Sequence, residues 1–186
     1  MRIFIKMKQE LFQKIEIPEG VEINIDGSSL SVKGKEGELK RVFNTTNLVF
    51  EKKDNQITIG SKKATKREKK IMNTIVAHIK NMIKGVQEKF EYKLKVCFHH
   101  FPITVEIKEG EAIIKNFLGE SIPRKLKILE GVDVKLDKGI ITVSSSDREL
   151  AGQTAANFEK ATKIRGVDKR IFQDGIFIIN KAGREM

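Results

Sequence analysis

An internal repeat is the feature that most constrains the fold of this chain. Short runs of alternating apolar and polar residues, the pattern of half-buried strands, occur in both halves of the sequence. Val32 and Gly37 in the first half match Ile114 and Gly119 in the second, and residues 57–59 match residues 141–143 at nearly the same spacing. Because the runs recur in the same order, the halves are predicted to be two copies of one small domain.

Each copy is predicted to continue into a helix. A capping box, in which a Ser or Thr and a Glu three residues later bond each other's backbone N–H groups, precedes both helical stretches, at Thr65/Glu68 and Ser146/Glu149. A glycine able to take the left-handed conformation is predicted to close each helix, at Gly85 and at Gly166. After the second helix, Asp174 and Gly175 predict a tight turn before a strand at residues 176–179.

These patterns predict an α+β fold made by tandem duplication of a small domain, each copy an antiparallel sheet with one helix packed on it. The predicted organisation is an N-terminal extension at 1–16, a first domain at 17–98, a second at 99–180 and a C-terminal tail at 181–186.

The charge of the chain indicates a polyanionic partner. It carries 36 basic and 25 acidic residues, a formal net charge of +11, which favours nucleic acid binding. The simpler alternative is a basic protein whose lysines only keep it in solution. Residues 160–184 include seven basic and two acidic residues, so the positive charge of the second half is concentrated at its end.

The sequence favours a cytoplasmic protein that does not enter a membrane. Its single cysteine, Cys97, excludes an internal disulfide and suits a reducing compartment. No apolar run approaches the roughly 18 residues that a membrane-spanning helix needs. The first residues show no cleavage site typical of a signal peptide.

Catalysis is poorly supported by the sequence. Cys97, His99 and His100 lie close together, but structural zinc takes four ligands in paired clusters and the chain has no second cluster. There is no phosphate-binding GxxxxGK[ST] motif and no nucleophile elbow. We therefore expect no enzymatic activity, no small-molecule substrate, no cofactor and no metal.

Several polar residues near the basic region suit RNA recognition. Gln153, Asn157 and Gln173 could bond to sugar or base edges, while the nearby lysines and arginines reach phosphates. With one Tyr and no Trp, the chain offers little for stacking single-stranded bases, so structured RNA is the expected ligand. Small residues around Gly152 let a neighbouring backbone approach the second helix; the alternative explanation, and the favoured one, is helix–sheet packing.

A second basic patch lies where the first helix begins, at Lys62, Lys63, Lys66 and Arg67. Positive charge is unfavourable near a helix N-terminus because the helix dipole is positive there, and a bound phosphate would offset that cost. The alternative is a solvated helix end without a ligand.

A set of longer motifs resembles a known family. The segments 77–86 (AHIKNMIKGV), 100–103 (HFPI), 116–120 (NFLGE), 123–124 (PR), 152–157 (GQTAAN) and 172–176 (FQDGI) are similar to the large-subunit ribosomal protein of the L-six family, in its archaeal and eukaryotic form. The resemblance covers residues 17–181, nearly the whole chain.

The resemblance implies a structural protein of the large ribosomal subunit in the cytoplasm, with two similar α+β domains and no catalysis. It also implies binding to large-subunit ribosomal RNA near the sarcin–ricin loop, beside ribosomal proteins of the factor-binding region. The second domain is the expected RNA reader, with contacts carried over at residues 115–119, 124–125 and 169–173. Together with the residues indicated by charge, the predicted contacts are Lys115, Asn116, Phe117, Gly119, Arg124, Lys125, Gln153, Asn157, Lys163, Arg165, Lys169, Arg170, Gln173, Lys181 and Arg184.

An alternative function remains compatible with the sequence. The chain could be a basic protein-interaction module that docks an acidic partner, since charge alone does not distinguish RNA from an acidic protein. RNA binding by the second half further requires that its late lysines and arginines share one surface.

Overall fold

The computed structural model describes residues 9–43, 48–53, 55–108 and 110–186. The chain divides into two compact units, unit 1 (Met1–Glu88) and unit 2 (Lys89–Met186). The predicted boundary after residue 98 is therefore too late. The strand Phe90–Cys97, expected in the first domain, pairs on both sides with strands of unit 2.

In the described part of the chain, unit 1 consists of six strands followed by one helix. They are β1 (Gln9–Glu16), β2 (Glu22–Asp26), β3 (Ser29–Gly34), β4 (Gly37–Val42), β5 (Val49–Lys53), β6 (Gln56–Ala64) and α1 (Lys66–Gln87). The strands pair antiparallel in two sheets, in the orders β1-β6-β5 and β2-β3-β4. Alternation sets the buried face: Ile23 lies opposite Val32 inside, while the adjacent pair Glu22 and Lys33 is exposed.

Unit 2 repeats this order and then extends it. Its elements are β7 (Phe90–Cys97), β8 (Thr104–Lys108), β9 (Glu111–Lys115), a 3₁₀ turn (Phe117–Gly119), β10 (Arg124–Lys127), β11 (Asp133–Asp137), β12 (Ile140–Ser145), α2 (Arg148–Ala161), β13 (Gly175–Lys181) and β14 (Arg184–Glu185). The sheet β10-β9-β8 matches β4-β3-β2, and β11-β12-β7 matches β5-β6-β1, with β13 and β14 added beside β7. The predicted α+β tandem duplication is confirmed, and the strands of each copy divide between two sheets.

Both predicted terminal segments contribute strands. Within the predicted extension, β1 pairs with β6 and places Ile15 opposite Ile57, with both side chains buried. At the other end, Lys181 pairs with Arg184 in the hairpin β13–β14. The N-terminal segment belongs to its sheet because β6, far away in sequence, satisfies its backbone N–H and C=O groups, whereas the C-terminal tail forms a local hairpin.

The two helices begin with different caps. Thr65 caps α1, and the carboxylate of Glu68 accepts a hydrogen bond from the Thr65 N–H at 2.9 Å, which completes the predicted capping box. Helix α2 is capped by Asp147, whose carboxylate accepts from the Glu149 N–H at 2.8 Å. The prediction of Ser146 as the cap is wrong, because the aspartate beside it is an equally favourable N-cap acceptor.

Neither helix ends at the predicted glycine. Helix α1 continues through Gly85 to Gln87 because the fully buried Val86 extends its apolar stripe. Helix α2 stops at Ala161, capped by Thr162, whereas Gly166 (φ 77°) lies in the loop beyond it.

Each unit has its own core, formed where the helix packs on the strands. In unit 1 the buried stripe of α1 includes Ile75 and Ile79. In unit 2, α2 buries Ala155 and lies so close to β7 that a Cβ on Gly152 would be 3.2 Å from the Tyr92 hydroxyl oxygen. The small residues of α2 thus serve helix–sheet packing. None of the helices in the described residues is long and apolar enough to span a bilayer.

Candidate nucleic-acid interface

The loop between α2 and β13, residues 162–174 and called here the basic loop, exposes several cations in unit 2. Lys163, Arg165 and Lys169 are exposed. Among the residues that the structure describes, none of these three side chains has an ion-pair or hydrogen-bond partner. The loop therefore presents three uncompensated positive charges to solvent.

A buried carboxylate fixes the end of the basic loop. Asp174 is 1% exposed, and it accepts hydrogen bonds from the backbone N–H groups of His99 (3.0 Å) and His100 (3.1 Å). Burial alone would raise the pKa of the Asp174 carboxyl. The hydrogen bonds from the backbone and ring of His100 and the backbone of His99 outweigh it and lower that pKa below its ordinary value. Asp174 is therefore an ionised anchor, and the tight turn predicted at Asp174–Gly175 is wrong, because the chain enters β13 at Gly175 without a turn.

The segment 98–102 connects the basic loop to the 3₁₀ turn. On one side, the His100 ring stacks on Phe172 with the ring centroids 4.7 Å apart. On the other side, the carbonyl of Pro102 accepts a hydrogen bond from the side-chain amide of Asn116 at 3.1 Å. The basic loop, this segment and the 3₁₀ turn thus form one continuous region, called here the three-loop surface.

The 3₁₀ turn itself contributes less than predicted. Phe117 is 1% exposed and belongs to the core, so the prediction that its side chain contacts RNA is wrong. Gly119 has φ 77° and lets the chain turn beneath the ring of Phe101, 3.4 Å from where a Cβ would lie. Lys115 forms an ion pair with Glu106, and Asn116 retains partial exposure.

Two of the predicted contact arginines, Arg124 and Arg170, are engaged within the protein. Arg124 binds the carboxylate of Glu120 with two nitrogens, and its third donates to the carbonyl of Ala161 at 2.6 Å, at the end of α2. The hydrogen bonds from Arg124 lower the pKa of the Glu120 carboxyl, so the pair stays ionised. Arg170 likewise binds Asp168, with 2.8 Å between the closest atoms. Three of the five N–H groups of the Arg124 guanidinium are thus used within the protein, and its RNA contact stays a prediction.

The polar contacts predicted on and near α2 are partly used internally. The side-chain amide of Gln153 donates to Asn157 at 2.9 Å, one turn along the helix. Gln173 donates to the backbone carbonyl of Arg170 at 3.3 Å. Lys125 is exposed on β10.

Lys181 and Arg184 lie apart from the other predicted contacts. Strand β13 begins with Gly175 opposite Cys97 and ends with Lys181 opposite Tyr92. At about 3.3 Å per residue, Lys181 is roughly 20 Å from the point where the basic loop enters the strand. Lys181 and Arg184 are therefore separated from the basic loop by the length of β13, and the expectation that all the late cations share one surface stays a prediction for them.

In unit 1, Lys66 and Arg67 are exposed in the first turn of α1. The prediction for the side chains of Lys62 and Lys63 lies outside the described residues. Lys69 and Lys70 are also exposed on α1 and were not among the predicted contacts.

The structure also shows what the sequence patterns missed. An open groove of about 920 Å³ beside the basic loop has Lys160, Lys163 and Lys169 at its border and Ile164 among its apolar lining residues. Lys160 belongs to the basic region of the sequence but was not a predicted contact. The role of Asp174 carried no sequence signal, because its partners lie about 75 residues away. Within the described residues, no three His, Cys, Asp or Glu side chains are arranged to hold a metal.

Comparison with known proteins gives a consistent result. The family model described as "Ribosomal protein L6" matches residues 17–89 and 101–175. The chain is 43% identical over 175 residues to "Large ribosomal subunit protein uL6" of Methanothrix thermoacetophila, an alignment covering 94% of this chain and 99% of that protein. It is 44% identical over 172 residues to the protein of the same name from Methanococcus vannielii, covering 92% of this chain and 94% of that protein.

Proposed function

Because this chain belongs to the ribosomal protein L6 family, a structural and non-enzymatic family, we propose that its unit 2 binds large-subunit ribosomal RNA. The family resemblance seen in the motifs is confirmed, and the relatives are archaeal. As a ribosomal protein the chain sits in the ribosome, in the cytoplasm. The RNA proposed as its ligand lies near the sarcin–ricin loop, beside other proteins of the factor-binding region.

The observation that carries this proposal is the anchored basic loop. The end of the basic loop is fixed by the buried Asp174, and the loop exposes to solvent the unpaired cationic side chains of Lys163, Arg165 and Lys169. An anchored loop loses less conformational entropy when it meets a ligand, so more of the electrostatic attraction appears as affinity. Phosphates of a folded RNA complement this charge.

The remaining predicted contacts are expected to contribute to RNA binding to different degrees. Four predicted contacts are accessible hydrogen-bond donors that could reach phosphate or ribose oxygens around the basic loop: Asn116, Lys125, Gln153 and Asn157. Lys115 and Arg170 would first have to exchange an ion-pair partner, so we assign them weaker contributions. Gln173 donates one amide N–H to the Arg170 carbonyl and keeps the second for RNA, as Gln153 does. The proposal does not rely on Phe117, whose side chain is buried, or on Arg124, which makes three internal hydrogen bonds. Lys181 and Arg184 would contact a separate part of the RNA.

Binding of this kind depends strongly on salt. Each phosphate neutralised by a lysine or arginine releases condensed counterions, so the logarithm of the association constant falls linearly with the logarithm of salt concentration, by about 0.7–0.9 per contact. Since the basic loop offers cations and few stacking groups, recognition would rest on the shape of the RNA and its 2′-hydroxyl groups.

The test is a salt titration of binding to a large-subunit RNA fragment that contains the sarcin–ricin loop. The double variant Lys163→Gln/Lys169→Gln should lower the slope by about 1.5, as expected for two lost contacts. The matched control is Lys93→Gln/Lys95→Gln, two exposed lysines of β7, which should leave the slope unchanged. Equal slopes for both variants would reject the basic loop as the RNA site.

Chemical footprinting of the same complex tests the location. Protection in or beside the sarcin–ricin loop supports the proposal, and protection confined to other RNA segments rejects that part of it. If the chain co-purifies from nuclease-treated lysate with an acidic protein and never with ribosomal subunits, the protein-interaction alternative replaces RNA binding.

A further inference from the structure

The exposed face of α1 carries lysines near both ends of the helix with small and polar residues between them. With about 3.6 residues per turn, Lys66, Lys69, Lys70, Asn73, Ala77, Lys80, Asn81 and Lys84 fall within a sector of about 120°. The buried residues of the helix, such as Ile75 and Ile79, lie on the opposite side. The exposed sector is called here the α1 cationic face.

The charge of this face is not neutralised within the protein. Lys66, Lys69, Lys70, Lys80 and Lys84 are exposed, and in the described parts of the chain none of them has an ion-pair partner. The only acidic residue of α1, Glu68, accepts hydrogen bonds from Thr65 at the cap. Three of the lysines also lie in the first turn or directly after it, where the helix dipole disfavours positive charge. The lysines nevertheless lie opposite the apolar stripe, on the side of α1 that faces away from the core.

The distribution of side chains along the face fits a helical polyanion. Lys66, Lys69 and Lys70 form one group and Lys80 and Lys84 another, about 15 Å apart along the helix axis at about 1.5 Å per residue. Between the groups, Asn73 and Ala77 line a shallow open groove. The Asn73 carbonyl oxygen accepts a hydrogen bond from Gln13 at 3.0 Å, which holds the side chain in place and leaves its amide N–H groups free to donate.

We propose that the α1 cationic face is a second RNA-binding surface, which lies across the minor groove of a helical RNA segment different from the one bound by the basic loop. The two lysine groups would contact the phosphates of the two strands, and Asn73 would reach the 2′-hydroxyl groups between them. Double-stranded RNA is recognised across its wide and shallow minor groove in this manner. The face has no exposed aromatic side chain in its central sector, which disfavours single-stranded RNA.

This inference rests on the proposed function, since both surfaces take ribosomal RNA, but the two can be separated by footprinting. Hydroxyl-radical protection of large-subunit RNA is compared for the full chain, for Lys80→Gln/Lys84→Gln on α1 and for Lys163→Gln/Lys169→Gln in the basic loop. Lys33→Gln/Lys35→Gln, two exposed lysines elsewhere in unit 1, is the matched control. Glutamine has nearly the helix propensity of lysine, so α1 is retained, and circular dichroism verifies this.

The expected result is two separate protected segments, one lost selectively in each variant, with a salt slope lower by about 1.5 for the α1 variant and unchanged for the control. If the α1 variant has the same footprint and the same salt slope as the control, the inference is overturned. The proposal that the basic loop binds RNA is unaffected by that result. Loss of a neighbouring protein from a reconstituted particle, with the RNA footprint unchanged, would overturn the inference in favour of an acidic protein partner. If the basic-loop variant also leaves every footprint unchanged, the proposed function fails as well.

Discussion

Replacing Asp174 tests whether the buried carboxylate holds the three-loop surface together. In Asp174→Ala the N–H groups of His99 and His100 lose their acceptor at a site that is almost fully buried. Hydrogen bonds to a charged group are each worth about 1.5–3 kcal/mol, so the loss of two should lower the free energy of unfolding by about 3–6 kcal/mol. Asp174→Asn keeps one carbonyl acceptor and should lose roughly half of that.

The chain contains a fluorescence probe that lies in unit 2 only. Its single tyrosine, Tyr92, is buried in β7 and the chain has no tryptophan, so tyrosine fluorescence during urea unfolding reports on unit 2 alone. Asp168→Ala is the matched control, because Asp168 lies in the same loop but its exposed carboxylate binds only Arg170, through the guanidinium and the backbone N–H. Its midpoint should not move.

The predicted order of unfolding free energies is wild type and Asp168→Ala, then Asp174→Asn, then Asp174→Ala. Equal midpoints for the two alanine variants would refute the argument that Asp174 is an anchor.

The pH dependence of stability gives a second measurement of the role of Asp174. The pKa of the Asp174 carboxyl is lower in the folded state than in the unfolded state. Its ionisation therefore stabilises the fold fully at pH values above the unfolded pKa of about 4. This stabilisation is lost as the pH falls below that value and through the folded-state pKa. The difference between wild type and Asp174→Asn should therefore shrink below about pH 4.

Three further changes separate structural from binding roles. Arg124→Met removes the guanidinium that binds the Ala161 carbonyl and should lower the free energy of unfolding by about 1–3 kcal/mol in the same urea assay, whereas an unchanged midpoint would favour Arg124 as an RNA contact instead. Gly60→Ala would place a Cβ 2.2 Å from the Phe12 ring and should lower the melting temperature measured by circular dichroism; a wild-type melting temperature would contradict the β1–β6 pairing. Lys66→Glu puts a negative charge in the first turn of α1 and should raise the free energy of unfolding by about 0.3–1 kcal/mol while weakening RNA binding, and a loss of stability would contradict the helix-dipole argument.

Much of the fold followed from patterns that are local in sequence. The alternation around Ile23 and Val32 shows which side of each strand is buried, since successive strand residues point to opposite faces. The cap formed by Thr65 and Glu68 spans three residues, and its geometry depends on those residues alone. The recurrence of both patterns in each half was sufficient to predict a duplicated α+β chain.

Sequence patterns were insufficient where distant partners decide the outcome. The strand 90–97 was assigned to the wrong unit because only its pairing with β12 and β13 shows where it belongs. Arg124 resembles a free cation in the sequence, but the end of α2 and the carboxylate of Glu120 accept three of its N–H groups. Lys181 is close to the basic loop in sequence, yet an extended strand carries it about 20 Å away.

The sequence by itself determined the repeat, the helix and strand periods and the concentration of positive charge, because each depends on residue types within a few positions. Only the tertiary structure decided which of those charges are free. Whether Lys163 faces solvent while Arg170 is paired, and whether Asp174 lies in an exposed turn or beneath His99 and His100, depends on contacts between segments far apart in the chain.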